Sequence, residues 1–269
     1  MSEPLRIPTW YYQQFDADMS LDVPGEGYGG WKKQTLEFPR EHTGVVVMHA
    51  WEAGTPADYP GWFKAVEYLP RSRVICRNIF PRLLSAVRDS GLPLFHVVGG
   101  GDYYREYPGY KKAVALAQPE PPVPERIPAD PAFEKLQTFR FENVFHGRHN
   151  AEDIKKGFEH VDFPAEARPH GDEGIAETGN QLFALCREKG VNHLIYTGFA
   201  INWCLLMSPG GMLDMSRRGV MCSAVRQAVT AVENKESARQ EQCKELALWR
   251  VALAFGFVFD AEDVVTALK

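Results

Sequence analysis

The chain has 269 residues, 45% of them hydrophobic, enough to bury one large core, so one domain with insertions is expected rather than two. Its net charge of −5 comes from interspersed signs, which argues against a nucleic-acid surface or a polybasic membrane patch. No apolar run approaches the roughly 20 residues of a membrane span, and the N-terminus lacks a charged-then-apolar leader pattern. The five cysteines (Cys76, Cys186, Cys204, Cys222, Cys243) are odd in number, scattered and without CxxC spacing, so they read as reduced thiols of a cytoplasmic protein.

In chain order, residues 1–42 mix aromatics with Pro and Gly and are expected to form an irregular arm. Its Trp10, Tyr11, Tyr12 and Trp31 would cover a partner subunit or roof an active site. The remainder, 43–269, is expected to form the main domain. Thr43 to Trp51 reads as a central parallel strand, because its valines run without alternation. A loop (56–72) and a helix over Arg73 to Ser90 follow, with Val74, Ile75, Ile79, Leu83, Leu84 and Val87 on one face and a bend or restart at Pro81. Gly91 caps it, and Leu92 to Val98 is the second strand.

From 99 to 138 the Pro and Gly content predicts a long surface excursion. Tyr103, Tyr104, Tyr107 and Tyr110 suit a lid with flat, half-polar surfaces for a cyclic substrate, and subunit contacts are the alternative use. Phe139 to Phe145 reads as an edge strand, Asn150 to Phe158 as the start of a helix, and Glu173 to Lys189 as a longer helix.

The stretch NHLIYTGFAINWC (Asn192 to Cys204) is the centre of the functional reading. His193 to Thr197 is strand length, Gly198 opens a turn, and Asn202 is a suitable helix N-cap. Cys204 then falls in the first helical turn, where unpaired backbone donors and the helix dipole favour thiolate. Ser-Pro-Gly-Gly (208–211) predicts a broken helix restarting with Ser208 as cap. Val220 to Val225 is a strand, Ser237 to Ala254 a helix, and a last strand and short helix end the chain. Alternating strands and helices imply a three-layer α/β/α sandwich with parallel strands.

GFAINWC resembles the G-x-x-T-N-x-C signature of the isochorismatase-like cysteine hydrolases, with Ile201 in place of threonine. The helix–Gly–Leu–Pro–strand passage is also similar, and the resemblance covers Thr43 to Leu268 without the tyrosine-rich excursion. It implies a parallel six-stranded sheet in the order 3-2-1-4-5-6 and a triad of carboxylate, lysine and cysteine cleaving amide C–N bonds through a thioester. It also implies a cis peptide before Ile201, an oxyanion hole built from backbone N–H groups of the Ala200–Ile201 turn, including that of Cys204, and a homo-oligomer (dimer or tetramer). Here the carboxylate position holds His49 and the lysine position His146; only Cys204 remains.

Three readings follow. One is an altered hydrolase, with His49 as base, His146 orienting or protonating, and Cys204 attacking a small substrate held by Trp51, Tyr103, Tyr104 and Trp203. The second places zinc between His49, His146 and Cys204. The third is a catalytically inactive relative that binds a ligand or serves assembly. The histidine-rich metal set of nicotinamidases has no counterpart in HVVGGGDYY, so nicotinamide is a poor substrate expectation, and no cofactor is otherwise implied.

Overall fold

The computed structural model describes residues 3–120 and 122–269. It opens with two strands, β1 (Leu5–Gln13) and β2 (Gly30–Phe38), paired antiparallel with Leu5 opposite Phe38 and Gln13 opposite Gly30. The expected irregular arm is thus largely a regular hairpin. Its signal is the alternation in LRIPT, where Leu5, Ile7 and Thr9 are buried and Arg6 is exposed. Pro8 and the glycines around β2 hide that alternation in the sequence. The arm's aromatics pack on the same chain: the Trp10 indole donates to Asp260 at 2.7 Å, and Tyr12 meets Trp31 and Trp249 edge-on.

The chain continues through β3 (Thr43–Met48), α1 (Pro60–Ala65), α2 (Leu69–Asn78) and α3 (Phe80–Asp89). The expected loop at 56–72 therefore holds a helix and the start of another. The single helix expected over Arg73 to Ser90 is two, divided at Ile79. Pro81 sits in the first turn of α3, where a missing N–H leaves no hydrogen bond unmade. Next come β4 (Leu94–Val97), α4 (Pro108–Leu116), α5 (Pro131–Asn143) and α6 (Ala151–Glu159). The excursion at 99–138 is thus partly helical. The edge strand expected at Phe139 to Phe145 lies mostly in α5, begun by Asp130, whose carboxylate accepts from the N–H groups of Ala132 and Phe133.

The last part runs β5 (Gly174–Ala176), α7 (Gly179–Lys189), β6 (His193–Gly198), α8 (Met212–Arg217), β7 (Met221–Val229), α9 (Gln242–Ala254), β8 (Val258–Phe259) and α10 (Ala261–Leu268). The helix expected from Glu173 begins six residues later, because residues 174–176 pair with β4 and Thr178 and Gln181 form a capping box that starts α7.

Among the described residues eight strands form one mixed sheet in the order β2-β1-β8-β7-β6-β3-β4-β5, so the expectation of six strands, all parallel, is corrected. The hairpin joins β8 antiparallel through Thr9 and Trp10. The six strands from β3 onward are parallel to one another, and counted from β3 they lie in the order 3-2-1-4-5-6. Helices cover both faces. Val45 and Val47 point into a core shared with α2, α3 and α10, while Val46 and Met48 point into one shared with α7, α8 and α9. A strand buried on both faces needs apolar side chains at every position, which is why β3 shows no alternation. Among the described residues no helix is long and apolar enough to cross a membrane.

Candidate active site

Beyond the carboxyl ends of β3 and β6 lies a cavity of about 400 Å³. Open parallel sheets commonly bind ligands at this end. Its inner wall is Cys204, supplied by the turn after β6. Gly198 begins that turn with φ +116°, and a Cβ there would lie 1.9 Å from the Met48 carbonyl oxygen, so only glycine fits. The Phe199–Ala200 peptide is cis, one bond earlier than expected. A π-helical turn, Ile201–Leu205, then carries the cysteine.

Two expectations about this turn are corrected. Asn202 does not cap a helix; its amide donates to the Val232 carbonyl at 2.8 Å and accepts from the Val232 N–H at 2.9 Å. It therefore ties the cysteine turn to the segment after β7. The Ile201 N–H donates to the Thr230 carbonyl at 2.7 Å, so this donor is committed and does not serve an oxyanion hole. Ala200 is fully buried, and its carbonyl accepts from the N–H groups of Trp203 and Leu205. After Met207 the helix breaks, and α8 restarts behind Gly211 rather than behind Ser208.

The other walls are aromatic. Trp62 and Phe158 pack with ring centroids 4.9 Å apart, and Trp51 meets Phe158 edge-on at 5.2 Å. Trp62 reaches this place because residue 157 is glycine: a Cβ there would be 2.0 Å from the indole Cε3. Phe145 and Trp203 form the outer rim, each about half exposed.

Of the two histidines, His146 lines the cavity and His49 does not. The His146 ring stacks on Phe145 at 4.8 Å and 8°, its Nδ1 is sealed from solvent without a partner, and the preceding peptide is cis. The Asn150 amide fixes its backbone by donating to the His146 carbonyl at 2.8 Å. His49 follows β3 with φ +50° and lies flat on Trp51, at 5.1 Å and 16°, with its Nε2 against Gly99. Burial pushes its pKa down to about 4, so the ring is neutral at physiological pH. Trp51, not His49, presents a surface to the cavity. The reason is local: the left-handed backbone at His49 turns its ring away from the extended course of β3.

The tyrosine lid is also corrected. Tyr104 is fully buried in a small separate core with Val98, Tyr110, Phe163 and Ile175, and Tyr103 packs against it; neither lines the cavity. His96, near the end of β4, is likewise buried, with Nε2 2.9 Å from a Glu173 carboxylate that Arg88 also binds. Among the described residues no group of three or more His, Cys, Asp or Glu is placed to hold a metal ion. Of the three residues of the zinc alternative, His146 and Cys204 line the cavity and His49 does not.

Two polar wall residues went unread in the sequence, Glu67 and Tyr68, from the segment taken as plain loop. The Glu67 carboxylate accepts from both terminal nitrogens of Arg71, at 2.6 and 2.9 Å, and from the Glu233 N–H at 3.1 Å. The Tyr68 hydroxyl is pushed well above its usual pKa, first by burial and further by negative charge at Cys204 and Glu67, so it stays a neutral donor. The available signal was the aromatic density of YPGWF and VEY directly beyond the first parallel strand.

The fold and site define a three-layer α/β protein whose apolar, aromatic cavity carries one cysteine and one histidine. No family model matches the chain, and no curated protein matches it. Among solved structures the chain is similar to an isochorismatase family protein from Burkholderia thailandensis, with 16% identity, 86% of this chain and 97% of that one covered, and a TM-score of 0.49. It is also similar to a cysteine hydrolase from Pseudomonas syringae pv. phaseolicola 1448A (14%, 86% and 94%, 0.48). The N-carbamoylsarcosine amidase from Thermoplasma acidophilum is a further likeness (15%, 82% and 96%, 0.40).

Proposed function

We propose that the protein is a cysteine hydrolase acting on a small, neutral, flat or cyclic amide or related C–N compound. The observation that carries this reading is that Cys204 and His146 line one cavity whose other walls are mostly apolar and include three tryptophans and two phenylalanines. In a cavity of about 400 Å³, apolar ring faces favour a planar ligand, and the low local dielectric strengthens the few polar contacts. Glu67 adds little net charge, since Arg71 holds both of its oxygens.

In this reading His146, rather than His49, takes the thiol proton. The Cys204 sulfur then attacks the carbonyl carbon and a tetrahedral intermediate forms. Its oxyanion accepts the neutral Tyr68 hydroxyl, in the role first expected of the Ala200–Ile201 turn. Collapse breaks the C–N bond, and the nitrogen leaves with the proton carried by His146. Water, deprotonated by the same imidazole, hydrolyses the thioester and regenerates the thiol. His49 positions Trp51 by stacking behind it.

A panel of aromatic and alicyclic amides and esters, assayed with wild type, Cys204→Ala and His146→Gln, tests this. Turnover of at least one member should fall by about 10³-fold or more in Cys204→Ala. In His146→Gln it should fall by about 10²- to 10⁴-fold. Binding of panel members without turnover would favour the inactive, ligand-binding alternative.

A further inference from the structure

Past the Phe145–Trp203 rim of the cavity lies a second hollow of about 360 Å³, walled by Gln137, Arg140, Phe141, Val144, Phe145 and Trp203. Phe145 and Trp203 line both spaces, with ring centroids 6.5 Å apart, so one surface runs from the hollow to the inner cavity. The hollow is also tied to the reacting groups. Phe141 meets the His146 ring edge-on at 5.8 Å, Phe145 stacks on the same ring, and Trp203 directly precedes Cys204. A ligand seated at Cys204 and longer than the cavity can continue over these rings.

The charges of the two spaces differ. The cavity wall has a carboxylate, Glu67, whose oxygens Arg71 already holds. No wall of the outer hollow is acidic; its polar walls are Gln137 and Arg140, three residues apart on α5 and so neighbours on its surface. The acidic residue beside them in the chain, Glu142, is turned to Arg148 at 2.8 Å, and among the described residues no carboxylate is paired with Arg140. The helix fixes where this cation stands. The Arg140 carbonyl accepts from the N–H groups of Val144 and Phe145, at 2.9 and 3.3 Å, which closes the last turn of α5 onto the rim. One turn is about 5.4 Å, a span that a short tail on a ligand seated inside can cross. A guanidinium pairs with a carboxylate through two parallel hydrogen bonds, and beside apolar rings that contact is stronger than in open water.

We propose that the outer hollow is a second subsite, in which Arg140 and Gln137 bind a carboxylate tail of a ligand whose neutral amide lies in the cavity. This subsite rests on the hydrolase reading only for the seating of the amide at Cys204, and binding measured without turnover separates the two. Flat aromatic amides carrying a carboxylate on roughly two to five methylenes, a span of about one helical turn, are titrated into Cys204→Ala by calorimetry. The tail is placed on the acyl side in one series and on nitrogen in another, and each compound is compared with its uncharged carboxamide. At least one carboxylate should bind about 10-fold or more tightly than its carboxamide. That ratio should fall close to one when Arg140→Gln is added and be kept in part by Arg140→Lys. It should also shrink as salt rises toward about 1 M, where the screening length is about 3 Å. Arg140 is exposed, so neither substitution touches the core. The wild type with the same compounds reads turnover: a carboxylate preference without hydrolysis would count against the hydrolase reading and support the subsite. Equal affinities throughout the set, a preference that survives Arg140→Gln, or no carboxylate bound at millimolar concentration overturns the proposal.

Discussion

Among the five thiols, Cys204 and Cys243 are half-buried while Cys76, Cys186 and Cys222 are buried. Burial pushes these last three up to about 12, which leaves almost no thiolate at neutral pH. Iodoacetamide at pH 7 should therefore modify Cys204 ahead of those three, read by peptide mass mapping; equal labelling would mark Cys204 as inert. The histidines make a separate prediction for stability. His193 is buried, hydrogen-bonded to Ser223 at 2.8 Å and stacked on Phe38, and burial lowers its pKa from 6.5 to about 4. The folded state thus binds fewer protons than the unfolded state between those values. Its contribution is full above pH 6.5 and is lost as pH falls toward 4, at about 1.4 kcal/mol per pH unit. His193→Gln should flatten the dependence of Tm on pH across that window; an unchanged slope would remove His193 from the account. The same lowering at His49 gives a kinetic test, because an acid limb of the rate near pH 4 would return the base role from His146 to His49.

At the scale of elements, the turn after β6 depends on a clamp outside it. Asn202→Ala would leave a donor and an acceptor of Val232 unpaired, so a loss of roughly 1–3 kcal/mol in denaturant unfolding is expected, together with slower alkylation of Cys204 as the turn loosens. A stability change below about 0.5 kcal/mol would show that the clamp is dispensable. The parallel strands β3, β4, β6 and β7 were legible because burial on both faces writes apolar runs into the sequence, and the glycine turn with its cysteine was legible for the same local reasons. Helix α5 was not. FRFENVF alternates like a strand, and no residue of α5 enters the core, so no helical stripe facing a core marks it. The site histidines show the limit more sharply. Sequence position brought His49 and His146 together with Cys204, but a left-handed φ at His49 turned one of them behind Trp51, and a single backbone torsion leaves no trace in residue type.

Over the whole molecule, the sheet continues past its parallel strands into the N-terminal hairpin, whose Leu5 and Ile7 are buried in the main core. Deleting residues 1–38 would expose that core and the edge of β8, so the truncated chain should aggregate where the full chain stays dispersed; a soluble, monodisperse truncation would show that the hairpin is an accessory. That dependence was hidden because antiparallel addition to an edge needs only a short alternating segment, and Pro8 interrupts the pattern of this one. The parallel direction of the other strands, by contrast, followed from their alternation with helices, while their order was implied only by the resemblance. The central claim is that one sulfur, at the inner wall of an aromatic cavity, forms the covalent intermediate. Its most direct test is acid-quenched mass spectrometry of the wild type mixed with a chromogenic ester of an aromatic acid. The account predicts a mass increase equal to the acyl group, located on the peptide bearing Cys204 and lost in Cys204→Ala. An acyl group on any other residue, or ester hydrolysis at an undiminished rate in Cys204→Ala, would contradict it.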